Sequence, residues 1–291
     1  MKEMDRDKIA KSVLKRRRMI NFLLRMSGYG SGGDCREIYI DTEVGPVRTL
    51  WYGYEAPGTR PVFFDMHGGG FILMSAEADG WMNSLIYKET GCKVVSIDYS
   101  LAPEHPFPAA VNEVYAVVKQ VHDNAGKYGI DPERMAIGGH SAGGNLATVT
   151  CIQAARKKEF RFACQVLDYP PLDLATSPYD KPCPRGAIKP CEAAIYDACY
   201  IDPSQARNPL VSPVYASGEE LAGQPPALII LAGRDSLRDE GAKYTRLLSE
   251  AGVDVELHEF PTERHGFTYF RTKEAPRAMS LITDFLKKHL G

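Results

Sequence analysis

Met135-Ala136-Ile137-Gly138-Gly139-His140-Ser141-Ala142-Gly143 joins a short apolar run to an alanine-rich segment of helical period through a G-x-S-x-G turn. A serine on a sharp strand-to-helix turn sits in crowded backbone. Glycines two residues before and after it remove Cβ atoms that would clash there. The turn lifts the hydroxyl above a sheet, at a helix N-terminus whose N–H groups favour developing negative charge. The alternative, a glycine-rich turn whose serine merely caps the helix, does not account for the strand before it.

The texture on both sides of this turn is repetitive. Short apolar runs occur at 61–66, 93–98, 135–138, 163–167, 227–231 and 253–260. They are rich in Val, Ile and Phe and lack strict alternation, as parallel strands buried on both faces do. Helix-period segments lie between them, near 78–90, 109–123, 141–157, 238–251 and 274–290. Val111, Val114, Tyr115, Val118 and Val121 share one side of the second. Ala278, Ile282, Phe285 and Leu286 share one side of the last. Such alternation predicts an α/β fold, a doubly wound parallel sheet covered on both sides. Before it, segments 36–41 and 47–54 read as an antiparallel edge hairpin around a Gly45-Pro46 turn. Residues 1–26 read as a helix striped by Ile9, Val13, Ile20, Leu23 and Leu24, with a solvated arginine face, and 27–33 as a flexible link. The stretch 172–216, between two strand candidates, is too long for a simple crossover and reads as an inserted cap.

His67-Gly68-Gly69-Gly70-Phe71 follows the strand at 61–66. Three glycines at a strand's C-terminal end let backbone N–H groups face a ligand unobstructed, as an oxyanion hole requires. No G-x-G-x-x-G or G-K-[ST] pattern supports a nucleotide loop instead. A nucleophilic serine needs a base, and the base an orienting carboxylate. His265 follows the strand at 253–260 into a loop at the sheet edge where the serine turn lies. Asp235 reaches that edge after the strand at 227–231. Asp239, the competing acid, falls at a helix start, where it would only favour the dipole.

These residues resemble the hormone-sensitive-lipase-like carboxylesterases, the α/β-hydrolase branch carrying HGGG and G-x-S-A-G-G-N. The resemblance runs from about residue 50 to the end. It also includes Asp98 to Ala110, Asp235 to Gly241, and His265-Gly266-Phe267. It implies an α/β-hydrolase fold: a mostly parallel eight-stranded sheet, helices on both faces and a helical cap. The core would be 34–171 and 217–291, with the cap built from 1–33 and 172–216. It further implies Ser141 as nucleophile, His265 as base, Asp235 as its orienter, and backbone N–H donors at Gly69, Gly70 and Ala142. No metal or organic cofactor is implied. The expected reaction is hydrolysis of a small-molecule ester through an acyl-enzyme. An amidase or small-molecule deacetylase with the same triad, or a non-catalytic ligand-binding member of the fold, is the alternative. A homodimer through the strand near 253–260 is an assembly the resemblance allows. Two positions depart from the family pattern: His140 stands where an acidic residue is usual, and Ser100 where Arg is usual.

Composition narrows the partners. Against 35 Lys and Arg stand 37 Asp and Glu, a formal net charge of −2. That balance offers no footprint for nucleic acid or an anionic membrane, and no apolar run is long enough to span a bilayer. Seven cysteines without a CxxC suggest reduced thiols and a cytoplasmic location. The polar cap, with Asp180, Lys181, Arg185, Lys189 and Glu192, argues for short acyl esters rather than lipid emulsions.

Overall fold

The computed structural model describes residues 6–27 and 35–291, with side chains of the first helix described over 8–19. Ser27, at the start of the proposed link, closes the first helix, whereas 28–33 and the side chains of Ile20, Leu23 and Leu24 fall outside that description. In chain order the elements are helix α1 (Arg6–Ser27), strands β1 (Cys35–Thr42), β2 (Gly45–Tyr52) and β3 (Arg60–Met66), helix α2 (Gly80–Thr90) and strand β4 (Lys93–Ile97). Helices α3 (Ala109–Asp123) and α4 (Ala125–Tyr128), strand β5 (Ile130–His140), helix α5 (Ala142–Lys157) and strand β6 (Cys164–Asp168) follow. The remainder holds α6 (Pro190–Tyr200), α7 (Gly218–Ala222), β7 (Ala227–Arg234), α8 (Arg238–Glu250), β8 (Val255–Arg264) and α9 (Ala275–Leu290).

The strands form one 8-stranded sheet in the order β1-β2-β4-β3-β5-β6-β7-β8. Only the β1–β2 and β2–β4 pairs are antiparallel; every other pair is parallel. Strand residues alternate between two core layers. Val62, Phe64 and Met66 of β3, with Ile229 and Leu231 of β7, join α3, α5 and α8 on one face. Phe63, Leu228 and Ile230 join Met82 and Ile86 of α2 and Ile282, Phe285 and Leu286 of α9 on the other. Both faces are apolar because both are roofed by helices, so the strand sequences read as continuous apolar runs.

Three local expectations need correction. The hairpin turn is Glu43-Val44, because Thr42 and Gly45 already face each other as its last pair. Gly45 takes φ +110 and opens β2, with Pro46 opposite Asp41. Strand β5 is much longer than its apolar run at 135–138, starting at Ile130 after a left-handed Gly129. The arginine run of α1 is also not simply a solvated face. Arg16 pairs with Glu192 of α6 at 2.7 Å. Arg17 donates from Nε to the carbonyl of Ile72 at 2.7 Å, from Nη2 to that of Ala102, and from Nη1 to both carboxylate oxygens of Glu104.

Between β6 and β7 the chain carries α6, whose end is packed onto the glycine loop: Phe71 and Tyr200 stack at 3.7 Å. Phe107 donates its N–H to the carbonyl of Tyr200 at 2.8 Å. This segment therefore roofs the C-terminal edge of the sheet, where the loops with the predicted site residues emerge.

Candidate active site

Ser141 lies between the last residue of β5 and the first of α5, with φ 54 and ψ −119. A left-handed conformation is uncommon for serine and marks a strained bend. Its N–H donates to the backbone carbonyl of Asp168 at 2.9 Å, which ties the bend to β6. Gly139 is needed for space. A Cβ there would lie 2.5 Å from the carbonyl carbon of Gly143 and 2.6 Å from the carbonyl oxygen of Met66.

The structure brings Ser141, His265 and Asp235 together. The Ser141 hydroxyl donates to Nε2 of His265 at 2.8 Å, and Nδ1 of the same ring donates to Asp235 Oδ2 at 2.6 Å. Asp235 is buried, and its Oδ1 accepts the N–H of Leu237 at 3.2 Å. His265 directly follows β8, whose last ladder pair joins Arg264 to Arg234 of β7, so Asp235 and His265 leave neighbouring strands side by side. The competing acid Asp239 does not enter the site. Its side chain is 58% exposed and pairs with Arg238.

The glycine loop lies against this bend. A Cβ on Gly68 would stand 3.5 Å from the Ser141 Cβ. Gly69 and Gly70 have φ +113 and +61, and a Cβ on Gly70 would strike the ring of Tyr196 at 2.8 Å. Glycine alone meets both demands. Among the described residues no acceptor takes the N–H groups of Gly69, Gly70 or Ala142, so these donors remain available beside the serine. The loop is held from outside. Tyr99 donates its hydroxyl to the carbonyl of His67 at 2.8 Å and stacks on that ring, while Arg17 grips Ile72.

Under the bend is a buried charge cluster of which only His140 was flagged from sequence. Nδ1 of His140 donates to Asp168 Oδ2 at 2.8 Å, and the same oxygen accepts from Thr268 at 2.6 Å. Donor atoms of Asp65, Asp79 and His140 all lie within 4.8 Å of one another. Asp65 Oδ2 accepts from Asn83 and Ser96, whereas neither oxygen of Asp79 has a hydrogen-bond partner. Burial disfavours a charged His140, yet Asp79, Asp168 and Asp65 outweigh it and raise the imidazole to about 9. Burial pushes Asp79 up to about 8 although His140 pulls the other way. Donor chemistry makes this trio the place a metal ion could sit. No step of the triad passes through it, and His140 faces away from the roles of base and orienter.

The serine opens into a cavity of ≈ 220 Å³ whose lining runs from the glycine loop, Ser141 and His265 to Ile188, Tyr196 and Asp197 of the segment between β6 and β7. Asp197 and Tyr169 were not singled out from the sequence, because no motif includes them.

Residues 63–269 match a family model described as alpha/beta hydrolase fold. The chain is 34% identical over 243 residues to the carboxylic ester hydrolase LipN of Mycobacterium tuberculosis, covering 80% of this chain and 64% of that protein. It thus spans just under two thirds of LipN. It is 35% identical over 238 residues to the carboxylesterase NlhH of the same species, covering 77% of this chain and 72% of the relative. With an arylesterase of Saccharolobus solfataricus the identity is 37% over 227 residues, covering 76% and 72%. Among solved structures, a hyperthermophilic esterase from the archaeon Pyrobaculum calidifontis superposes with TM-score 0.84 at 35% identity, covering 98% of this chain and 94% of that one.

Proposed function

Since the chain belongs to the alpha/beta hydrolase fold family, we propose that it is a serine carboxylesterase cleaving small esters through an acyl-enzyme. The observation that carries this reading is the unbroken path from Asp235 through His265 to the Ser141 hydroxyl, with 2.6 and 2.8 Å links. Free backbone donors beside it complete the requirement for acyl transfer.

In the proposed reaction Oγ of Ser141 attacks the ester carbonyl while Nε2 of His265 takes its proton. Asp235 keeps Nδ1 protonated and the ring oriented, and stabilises the imidazolium that forms. The carbonyl oxygen becomes an oxyanion held by the N–H groups of Gly69, Gly70 and Ala142, at about 3 kcal/mol per donor. His265 then gives the proton to the departing alcohol. A water molecule, activated by the same imidazole, cleaves the acyl-serine and restores the hydroxyl. The modest cavity and its apolar aromatic walls support short acyl chains over long ones. All seven cysteines are free thiols, which supports a reducing, cytoplasmic setting. Among the described residues no helix is long and apolar enough to cross a membrane.

The test is fluorophosphonate labelling followed by peptide mass analysis, beside hydrolysis of p-nitrophenyl esters from acetate to dodecanoate. Adduct on Ser141 and rates greatest between acetate and hexanoate are expected. Label on another residue, or an intact enzyme inert toward every ester of the series, refutes the reading.

A further inference from the structure

The walls of the cavity are unusual in what their charges face. Phe71, Tyr169, Tyr196, Tyr269 and Phe270 supply an aromatic lining. Five ionisable groups share it: His265 in the triad, His140 on β5, Lys181 from the cap segment before α6, Asp79 before α2, and Asp197 on α6. His265 and His140 are engaged by Asp235 and Asp168. Lys181 gives its ammonium to Glu240 at 3.0 Å and to the carbonyl of Asp173 at 2.7 Å. The other ionisable side chain near this wall of α6, Glu192, is turned to Arg16 and the hydroxyl of Tyr196. Asp79 is fully buried. That leaves Asp197, whose carboxylate makes no hydrogen bond or ion pair among the described residues. Its helix is otherwise satisfied: the backbone carbonyl of Asp197 accepts from Ile201 at 3.0 Å.

Asp197 is half-buried in the cavity wall, its carboxylate unpaired beside the aromatic lining, so a ligand of opposite charge would find a free partner there. Aromatic faces around an anionic point are the surroundings that hold ammonium groups, by cation–π attraction together with charge pairing. We propose that Asp197 is the recognition point for a cationic substituent, an ammonium group, on the ester that Ser141 cleaves. This rests on the ester-hydrolase reading and adds the substrate's charge to it. Burial raises Asp197 to about 6, with Lys181 pulling downward. The carboxylate is therefore ionised at neutral pH and gains its proton as pH falls through that value. The preference for a cation fades in the same range.

Two matched pairs test this, each differing by one atom, a quaternary nitrogen against a carbon. Acetylcholine and 3,3-dimethylbutyl acetate place the group on the alcohol; ethyl 4-(trimethylammonio)butanoate and ethyl 5,5-dimethylhexanoate place it on the acyl chain. The readout is the ratio of kcat/KM within a pair. Protonation of the triad affects both members alike and cancels. In one pair the cationic ester is expected to win by at least about tenfold, with the ratio falling toward one in Asp197→Asn and below pH 5, and returning in Asp197→Glu. The pair that responds tells on which side of the scissile bond the group is read. Equal or inverted ratios in both pairs, or a ratio untouched by Asp197→Asn, overturn the proposal. Calorimetric binding of choline against 3,3-dimethylbutan-1-ol judges Asp197 independently of turnover. The same comparison of 4-(trimethylammonio)butanoate with 5,5-dimethylhexanoate covers the acyl side; a cation preference in either pair that is lost in Asp197→Asn supports the proposal, and equal binding in both pairs overturns it. Failure to hydrolyse p-nitrophenyl acetate would instead fall on the ester reading alone.

Discussion

Replacing Gly139 with alanine inserts one methyl group between the two halves of the proposed catalytic apparatus. The new Cβ would lie 2.5 Å from the carbonyl carbon of Gly143 and 2.6 Å from the carbonyl oxygen of Met66. Ordinary contact begins near 3.4 Å, so backbone must yield by about 0.9 Å, the difference between 3.4 and 2.5 Å. Neither neighbour is a side chain that can swing aside. Met66 leads directly into the glycine loop and Gly143 follows Ser141 by two residues. The wedge therefore moves the nucleophile and the oxyanion donors apart. A misplacement near 1 Å costs about 100-fold in rate, and overpacking of this kind costs about 1–3 kcal/mol of stability. Kinetics on p-nitrophenyl acetate should show kcat lower by about two orders of magnitude with a smaller change in KM. Fluorophosphonate labelling should slow in parallel. Gly126→Ala is the control, since a Cβ there meets nothing within 4 Å. A Gly139→Ala enzyme with kcat within about threefold of the parent and an unchanged melting temperature would refute the argument.

Asp235→Asn is expected to lower kcat by about 10⁴-fold, the scale of losing the orienting carboxylate of a triad. The exposed Asp239→Asn should change little, and a loss under tenfold for Asp235→Asn would remove its assigned role. His140→Leu strips the cation from a site holding Asp168, Asp79 and Asp65, at a cost of about 3 kcal/mol or more. Urea unfolding that shows under 1 kcal/mol would contradict it. Burial opposes ionisation of Glu77, but Arg48 holds the carboxyl down to about 2 against an ordinary 4.5. Its stabilising contribution is thus complete above pH 4.5 and is lost as pH falls toward 2. Because the side chain is 42% exposed, screening reduces this to about 1 kcal/mol. The stability gap between parent and Glu77→Gln should narrow by roughly 0.6 kcal/mol between pH 6 and pH 3. A gap constant with pH would refute the assignment.

The proposed catalytic residues were legible because each follows a recognisable apolar strand at its C-terminal end, so chain position alone predicts that they share an edge. The two faces of the sheet were legible from the same runs. Turn chemistry misled at the hairpin: Gly45-Pro46 carries the composition of a turn, yet pairing with Asp41 and Thr42 draws both into β2. Strand β5 exceeded its apolar run because Asp131, Pro132 and Glu133 lie at the less buried end. The arginines of α1 looked solvated because nothing local pairs with them; their partners lie 55 to 176 residues away. The surroundings of His140 were hidden for the same reason. Asp168 is 28 residues distant, and burial of four ionisable groups together is a property of packing rather than of any motif.

Arg16 and Arg17 make the first helix a fastening for parts of the molecule that are synthesised long afterwards. On a ribosome this helix emerges before Ile72, Ala102 and Glu104 exist, and Glu192 follows 176 positions after the arginine that receives it. Closing so long a loop carries an entropic penalty that only a nearly finished core can offset. This helix, made before its partners, is consequently among the last parts to be locked in place, and until then Arg16 and Arg17 lack the carboxylates of Glu192 and Glu104.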